Sequence, residues 1–434
     1  MKKTKIFIYV TSFICIMITL ISVYKSGEKE SVSYEFEEIQ NTENLPGGEL
    51  LQNKFDKNDI PTSDLEIPFN SNKKISDFIK GDNIQVVDDF KINTRRLGTF
   101  KIKYKYINEE ENIVNDSITI KISDTTPPDV WLGRVKNVKT TYTGNLLDDI
   151  VCVDDTDDNP KCKIKGYYNT KKRGRYHLTF EAEDKFGNKT SKPFILNVIN
   201  PSEPPLYLPT NPIPPKIEEV EPQPSRYNIS DIIKKHKTNN TKIGIDVSVW
   251  QGDIDFQKVK DAGVEFVFIR VGSRLGIEGD YFVDSKFIQN IEGFNKVGIP
   301  VGIYFYSYAN NPLKSKEEAE WVINQIKDYK VDLPVAFDWE SWSFYNAFHM
   351  SYNTLAETGE AFLNTIKNAG YKTLLYGSKN YLEKAWYDLD HDEWLAHYAP
   401  STSYKGNYKY WQLTSSGIVP GINGRVDINI FYDK

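Results

Sequence analysis

The chain has 434 residues and a formal net charge of −6, with 54 Lys and Arg against 60 Asp and Glu. This length exceeds what one hydrophobic core organises, so several domains are expected. Basic residues alternate with acidic ones and form no stripe that could track phosphates, which excludes nucleic acid as a partner. Three cysteines exclude a disulfide scaffold.

Lys2, Lys3 and Lys5 precede nineteen uncharged residues, Ile6 to Tyr24. As a helix this stretch is about 28 Å long, close to the ~30 Å hydrocarbon layer. Residues 1–25 are therefore expected to be a cytoplasmic tip and transmembrane signal-anchor, with the flanking lysines keeping the N-terminus inside. The protein is then a single-pass cell-membrane protein with extracellular C-terminal domains. The alternative is a secreted protein with a cleaved signal peptide, although the segment ends Ile-Ser-Val-Tyr-Lys rather than in small residues. Residues 26–65 are polar, acidic and aperiodic, as expected of a flexible stalk.

A repeat follows. Gly98-Thr-Phe-Lys-Ile-Lys-Tyr-Lys-Tyr-Ile-Asn108 aligns without gaps to Gly174-Arg-Tyr-His-Leu-Thr-Phe-Glu-Ala-Glu-Asp184, 76 residues later. Apolar and polar residues alternate in both, the signature of strands with one buried face. Residues 66–124 and 125–200 are expected to be two small β domains, separated at Thr125-Thr126-Pro127-Pro128. In the second, Asp184-Lys-Phe-Gly-Asn188 supplies a turn that closes a hairpin. The units resemble the Ig-like sandwich modules that serve as spacers on bacterial surface proteins. Cys152 and Cys162 either close a short loop or remain free thiols. The acidic turn Asp154 to Asn159 lacks the glycine and distant glutamate of an EF-hand loop and is expected to be solvated.

Residues 201–225 hold nine of the 21 prolines. With the lead-in up to residue 241 they form an extended, semi-rigid linker. From residue 242 to 434 strand-like and helix-like stretches alternate: Ile243–Trp250 then Asp255–Ala262, Phe266–Gly272 then Asp284–Lys296, Pro300–Tyr308 then Ser315–Asp328, Leu333–Glu340 then Thr354–Ala369. Thr373–Gly377 is a fifth strand. Trp394–Tyr398, Tyr408–Thr414 and Arg425–Phe431 are three strands with short joins. The pattern predicts an α/β domain, a TIM-like (β/α)5β3 barrel, with its chemistry at the C-terminal ends of the strands.

Carboxylates interrupt apolar strands here. Asp338 and Glu340 end Leu-Pro-Val-Ala-Phe-Asp-Trp-Glu and, two residues apart, share one face. Asp246 interrupts the first strand and Asp427 the last, and these strands are neighbours in a closed barrel. A buried unpaired carboxylate is costly, so acids placed this way have a task. Tyr304, Tyr306 and Tyr308 alternate along the third strand, and Trp394 and Trp411 mark later strand ends. His349, His391 and His397 show no ligand spacing with a second His or Cys, so neither metal nor cofactor is implied.

Asp246-Val-Ser-Val-Trp-Gln-Gly252, Phe337-Asp-Trp-Glu340 and Val426-Asp-Ile-Asn429 resemble the motifs of family 25 glycoside hydrolases, the Chalaropsis-type lysozymes. Phe268-Ile-Arg-Val-Gly272, Gly302-Ile-Tyr-Phe-Tyr306, Trp394-Leu-Ala-His-Tyr398 and Trp411-Gln412 extend the likeness over nearly the whole domain. The resemblance implies an N-acetylmuramidase acting on peptidoglycan glycan strands with retention. It implies that Glu340 is the general acid and base, that Asp338 stays ionised, and that Asp246 and Asp427 complete the acidic floor. Arg270, Tyr304, Tyr306, Trp394, Tyr398, Trp411 and Gln412 are the substrate-binding residues it implies. A chitinase-like barrel would carry a further acid where Ala336 stands. The alternative from another class is an inactive surface protein that only binds wall glycan.

Overall fold

The computed structural model describes residues 37–38, 65–79, 85–108, 110–202, 227–340, 345–387 and 389–433. The expected transmembrane segment and most of the expected stalk and linker lie outside the described residues. No described helix is long and apolar enough to cross a membrane. The chain divides into two compact units, Met1–Ser123 and Asp124–Lys434.

In the first unit the strands Gly98–Ile107 and Ile113–Ser123 form an antiparallel hairpin, and Leu65–Pro68 pairs parallel to its second arm. The alternation seen in the sequence buries Phe100, Ile102, Tyr104 and Tyr106 on one face. Two residues of the expected stalk, Glu37 and Glu38, pair antiparallel with Lys101 and Phe100.

The second unit begins with a β module of two sheets. Val135–Lys139, Lys189–Ile199, Gly174–Glu183 and Lys161–Lys165 form the larger in that order, and Asp129–Trp131 pairs with Val151–Val153 in the smaller. Leu178, Phe180, Phe194, Leu196 and Val198 fill its core. A Cys152–Cys162 disulfide joins the two sheets, so the bridge rather than the free thiols is found.

This module packs directly on the barrel, although more than twenty linker residues separate them in sequence. Trp131 Nε1–H donates to Tyr352 Oη at 2.9 Å. Asn346 accepts from the Cys152 amide at 3.1 Å and donates to the Ile150 carbonyl at 2.9 Å. The Tyr352 and Asn353 amides donate to the Asp154 and Asp155 carbonyls at 2.9 and 3.0 Å. The acidic turn is accordingly not the solvated one expected: Asp154 is 1% exposed.

The barrel strands are β1 (Thr241–Val247), β2 (Phe266–Arg274), β3 (Val301–Tyr306), β4 (Val335–Asp338), β5 (Thr373–Ser378), β6 (Glu393–Ala396), β7 (Tyr408–Ile418) and β8 (Val426–Tyr432). The first seven are parallel in sequence order; β8 runs antiparallel between β7 and β1 and closes the cylinder. Helix α1 (Ile229–His236) precedes the barrel. Then α2 (Phe256–Asp261), α3 (Phe287–Val297), α4 (Pro312–Ile326), α5 (Tyr345–Phe348), α6 (Tyr352–Asn368) and α7 (Lys379–Lys384) follow the first five strands. α4 shows why such segments are helical: Asn311 caps it through the Lys314 amide, Pro312 fits the first turn, and Ala319, Val322 and Ile326 recur on one buried face.

Strand parity sorts the side chains. Ile243, Ile245 and Val247 of β1 and Val335 and Phe337 of β4 face the helices. Phe266, Phe268, Ala336, Leu374, Trp394 and Tyr410 fill the interior. Gly244 and Gly302 are required there, because a Cβ would lie about 2.5 Å from the Phe266 ring or 2.4 Å from the Phe268 ring.

Candidate active site

The interior layer ends in a cleft at the C-terminal mouth of the parallel strands. Asp246, Arg270, Tyr304, Tyr306, Asp338, Glu340, Tyr376, Trp394, Gln412 and Asp427 line about 150 Å³ there. Asp427 reaches this mouth because β8 is antiparallel and begins where the others end; its register partner is Asp246. Below the acids, Phe268 stacks on Trp394 with ring centroids 4.5 Å apart, and Tyr376 meets Trp394 edge-on at 4.9 Å. This aromatic floor keeps water from the base of the cleft.

Amides hold one acid in place. Asp246 Oδ2 accepts from Gln412 Nε2 at 3.0 Å and from Asn429 Nδ2 at 2.7 Å. Each amide is itself fixed. Gln412 Oε1 accepts from the hydroxyls of Tyr376 and Tyr398, and Asn429 Oδ1 accepts from Trp394 Nε1–H at 2.8 Å. Burial raises the Asp246 carboxyl to about 6, the two amides working against that shift and the charge of Glu340 with it. Asp427 is pushed up to about 8 by burial, then by the charges of Asp246 and Glu340.

Asp338 and Glu340 are hydrogen bonded to each other. Asp338 lies deeper, 4% exposed, and is pushed well above the carboxylate range by burial first and Glu340 second. Glu340 is open to solvent at the mouth, yet desolvation by the cleft walls still raises its carboxyl, while the bond with Asp338 acts to lower it. The two carboxyls thus titrate as one coupled pair, both held above the ordinary carboxylate range. Between them Trp339 is fully buried and donates Nε1–H to the Ala309 carbonyl at 3.1 Å, anchoring the strand end.

Arg270 lies in the cleft wall. Asp284 holds its guanidinium through Nε at 2.8 Å and Nη2 at 2.7 Å, and its charge favours the ionised form of Asp338. Tyr398 is half exposed at the rim, its hydroxyl reaching Gln412 at 2.9 Å. Trp411 departs from expectation. It is 3% exposed, packs among the outer-layer residues and donates Nε1–H to the His397 carbonyl. Adjacent strand residues face opposite sides, so with Gln412 inward Trp411 must point out.

Tyr376, Asn429 and Asp284 were not singled out from the sequence. Asn429 stands two residues after Asp427 and therefore on its face, a signal that was available. Tyr376 sits inward at the end of an apolar strand, where its hydroxyl was the only hint. Asp284 lies fourteen residues from the arginine it orients. Trp250, in the turn after β1, is 80% exposed.

Residues 245–422 match the family described as Glycosyl hydrolases family 25. The autolytic lysozyme of Clostridium acetobutylicum is 29% identical over 191 residues, 43% of this chain and 55% of that protein. Lysozyme M1 of Streptomyces globisporus is 26% identical over 210 residues, 43% of this chain and 67% of that protein. The structure of the modular autolysin LytC from Streptococcus pneumoniae in complex with a synthetic peptidoglycan ligand shares 30% identity, with a TM-score of 0.41, over 45% of this chain and 48% of that one. The chain spans about half the length of the first of these relatives. A closed α/β barrel, an acid cluster at its mouth and this match identify residues 245–422 as a glycosyl hydrolase family 25 domain.

Proposed function

We propose that the chain is a peptidoglycan hydrolase, an N-acetylmuramidase that cleaves the β-1,4 bond between N-acetylmuramic acid and N-acetylglucosamine with retention. The observation that carries this reading is the convergence of Asp246, Asp338, Glu340 and Asp427 in one cleft above an aromatic floor. Glu340, at the open mouth, protonates the leaving oxygen and then takes a proton from water. Asp338 lies on the same side of the cleft, in hydrogen-bond contact with Glu340. A covalent retaining mechanism sets its two carboxyls about 5–5.5 Å apart on opposite faces of the sugar. The contact here favours attack by the substrate's own 2-acetamido group. The N–H of that group, donated to Asp338, stabilises its ionised form and leaves the shared proton on Glu340. Asp246, raised only to about 6, supplies negative charge near Glu340 at neutral pH, whereas Asp427, pushed up to about 8, keeps its own proton there. The half-exposed Tyr398 and the exposed Trp250 offer faces on which sugar rings can stack.

The β modules act in this reading as Ig-like spacers, and residues 1–25 as the membrane anchor that holds the enzyme against the cell wall. An inactive wall-binding protein would have no use for four carboxylates crowded in one cleft. The test is digestion of purified peptidoglycan by the full chain, with mass spectrometry of the products. New reducing ends on N-acetylmuramic acid are expected; none, or ends on the other sugar, would overturn the assignment.

A further inference from the structure

The β module of the second unit carries another group of acids that glycoside hydrolysis does not use. Asp124 precedes the Thr-Thr-Pro-Pro step, Asp154 follows the strand Val151–Val153, and Asp184 follows the strand Gly174–Glu183. Each offers a carboxylate oxygen, and these oxygens all lie within 4.8 Å of one another. The three residues are 5%, 1% and 4% exposed. Among the described residues no lysine or arginine forms an ion pair with any of them.

Asp154 is the telling member. Its Oδ1 accepts from the Thr156 and Asp157 amides at 2.9 and 2.8 Å. Its Oδ2 is buried and has no hydrogen-bond partner. Three like charges with no counterion repel strongly in a region that water does not reach, and one acceptor has no donor. A cation at their centre meets both demands.

We propose that Asp124, Asp154 and Asp184 bind a calcium ion that fastens the β module to the barrel. The donor set is all carboxylate oxygen, with no His or Cys in the group, which suits a hard cation and not zinc or copper. Carboxylate oxygens that all lie within 4.8 Å of one another can surround a calcium ion at about 2.4 Å from each. Magnesium demands a near-ideal octahedron and dehydrates reluctantly, so it keeps waters that a closed group of carboxylates does not admit. Each of the three carboxylates offers one oxygen to the centre, and the ion takes the local charge from −3 to −1.

The same loop grips the barrel. Beyond the backbone bonds from Tyr352 and Asn353, Asp158 Oδ1 accepts from the Ser351 amide at 2.7 Å and from Thr354 Oγ1 at 2.6 Å. Tyr387 donates its hydroxyl to Asp155 Oδ1 at 2.8 Å. An ion held by Asp154 therefore orders the turn that receives the first residues of α6, the helix packed on β4. The ligands lie 30 residues apart along the chain, so no contiguous loop motif announces them.

The test is a calorimetric titration of calcium into the chelator-treated full chain. One site with Kd on the order of 10⁻⁴ M is expected, with magnesium at least ~10-fold weaker. Saturating calcium is expected to raise the first unfolding midpoint by roughly 5 °C. Asp154→Asn is expected to abolish both effects while raising the midpoint in chelator, because it removes one of three repelling charges. Should that variant fail to fold, Asp184→Asn is read in its place. No saturable binding by the unmodified chain up to about 10 mM calcium overturns the proposal. Binding that survives both substitutions overturns it as well.

Discussion

Two groups of acids lie in one compact unit, and they are built differently. In the barrel, Asp246 is held by the amides of Gln412 and Asn429, Asp338 has Glu340 to share a proton with, and Arg270 stands in the wall. That group opens on a cleft, so water and substrate can exchange protons with it. In the β module, Asp124, Asp154 and Asp184 are closed in, and Asp154 Oδ2 meets no donor. Neutral amides beside carboxylates leave protonation adjustable, which acid–base chemistry requires. A buried carboxylate oxygen that meets other acids and no donor calls for a fixed positive charge.

The first β unit supplies a control within the chain. Where Asp184 accepts from the Phe186 and Asn188 amides at 2.9 and 2.8 Å, the repeat has Asn108 accepting from Glu110 and Asn112 at 3.2 and 2.9 Å. The turn is kept and the charge is not. Shaping the turn does not require a carboxylate, so the charge at Asp184 answers another need.

The largest test of this contrast is Glu340→Gln, which preserves shape and removes the proton. Hydrolysis should fall by about 10³-fold with the fold intact, followed as reducing ends with circular dichroism as the control. Near-normal activity would show that the barrel acids are as structural as those of the module.

A second test concerns a buried acid outside both groups. Glu318 is fully buried between Ser307 and Arg274, and burial pushes it from 4.5 up to about 8. The folded state therefore binds a proton that the unfolded state releases above about 4.5. Its contribution to stability is full below that pH and is lost as pH rises toward 8, at roughly 1.4 kcal/mol per pH unit. Urea unfolding from pH 5 to 8 should show a shallower decline for Glu318→Gln; equal slopes would place the titration elsewhere.

Third, Asn429→Leu removes a donor that stabilises ionised Asp246. The acid limb of the activity profile should move alkaline by on the order of one pH unit. An unmoved limb would mean that Asp246 does not govern the profile. The smallest effect expected is from Tyr352→Phe at the junction of module and barrel, about 1 kcal/mol by thermal unfolding for the lost bonds to Trp131 and Asp129.

Much of this molecule was legible along the chain because the periods of strand and helix write burial directly into sequence. The alternation in Gly98–Asn108 and Gly174–Asp184 marked strands that the structure contains, and the parity of Asp338 and Glu340 set both on one face. The same rule, applied to Trp411 beside Gln412, would have removed Trp411 from the site. Depth was not legible: Asp338 and Glu340 differ by two residues in sequence, yet Asp338 is buried at the strand end and Glu340 is exposed at the mouth.

The sequence by itself determined the alternation of strands and helices after residue 242, the acids that interrupt the strands, and the β repeat before them. Those are local properties, set by side-chain polarity at a fixed period. Only the tertiary structure decided that an antiparallel last strand brings Asp427 opposite Asp246, and that three aspartates 30 residues apart meet in the β module. It alone showed that the module rests on the barrel. These depend on where the chain returns in space, which no local period encodes.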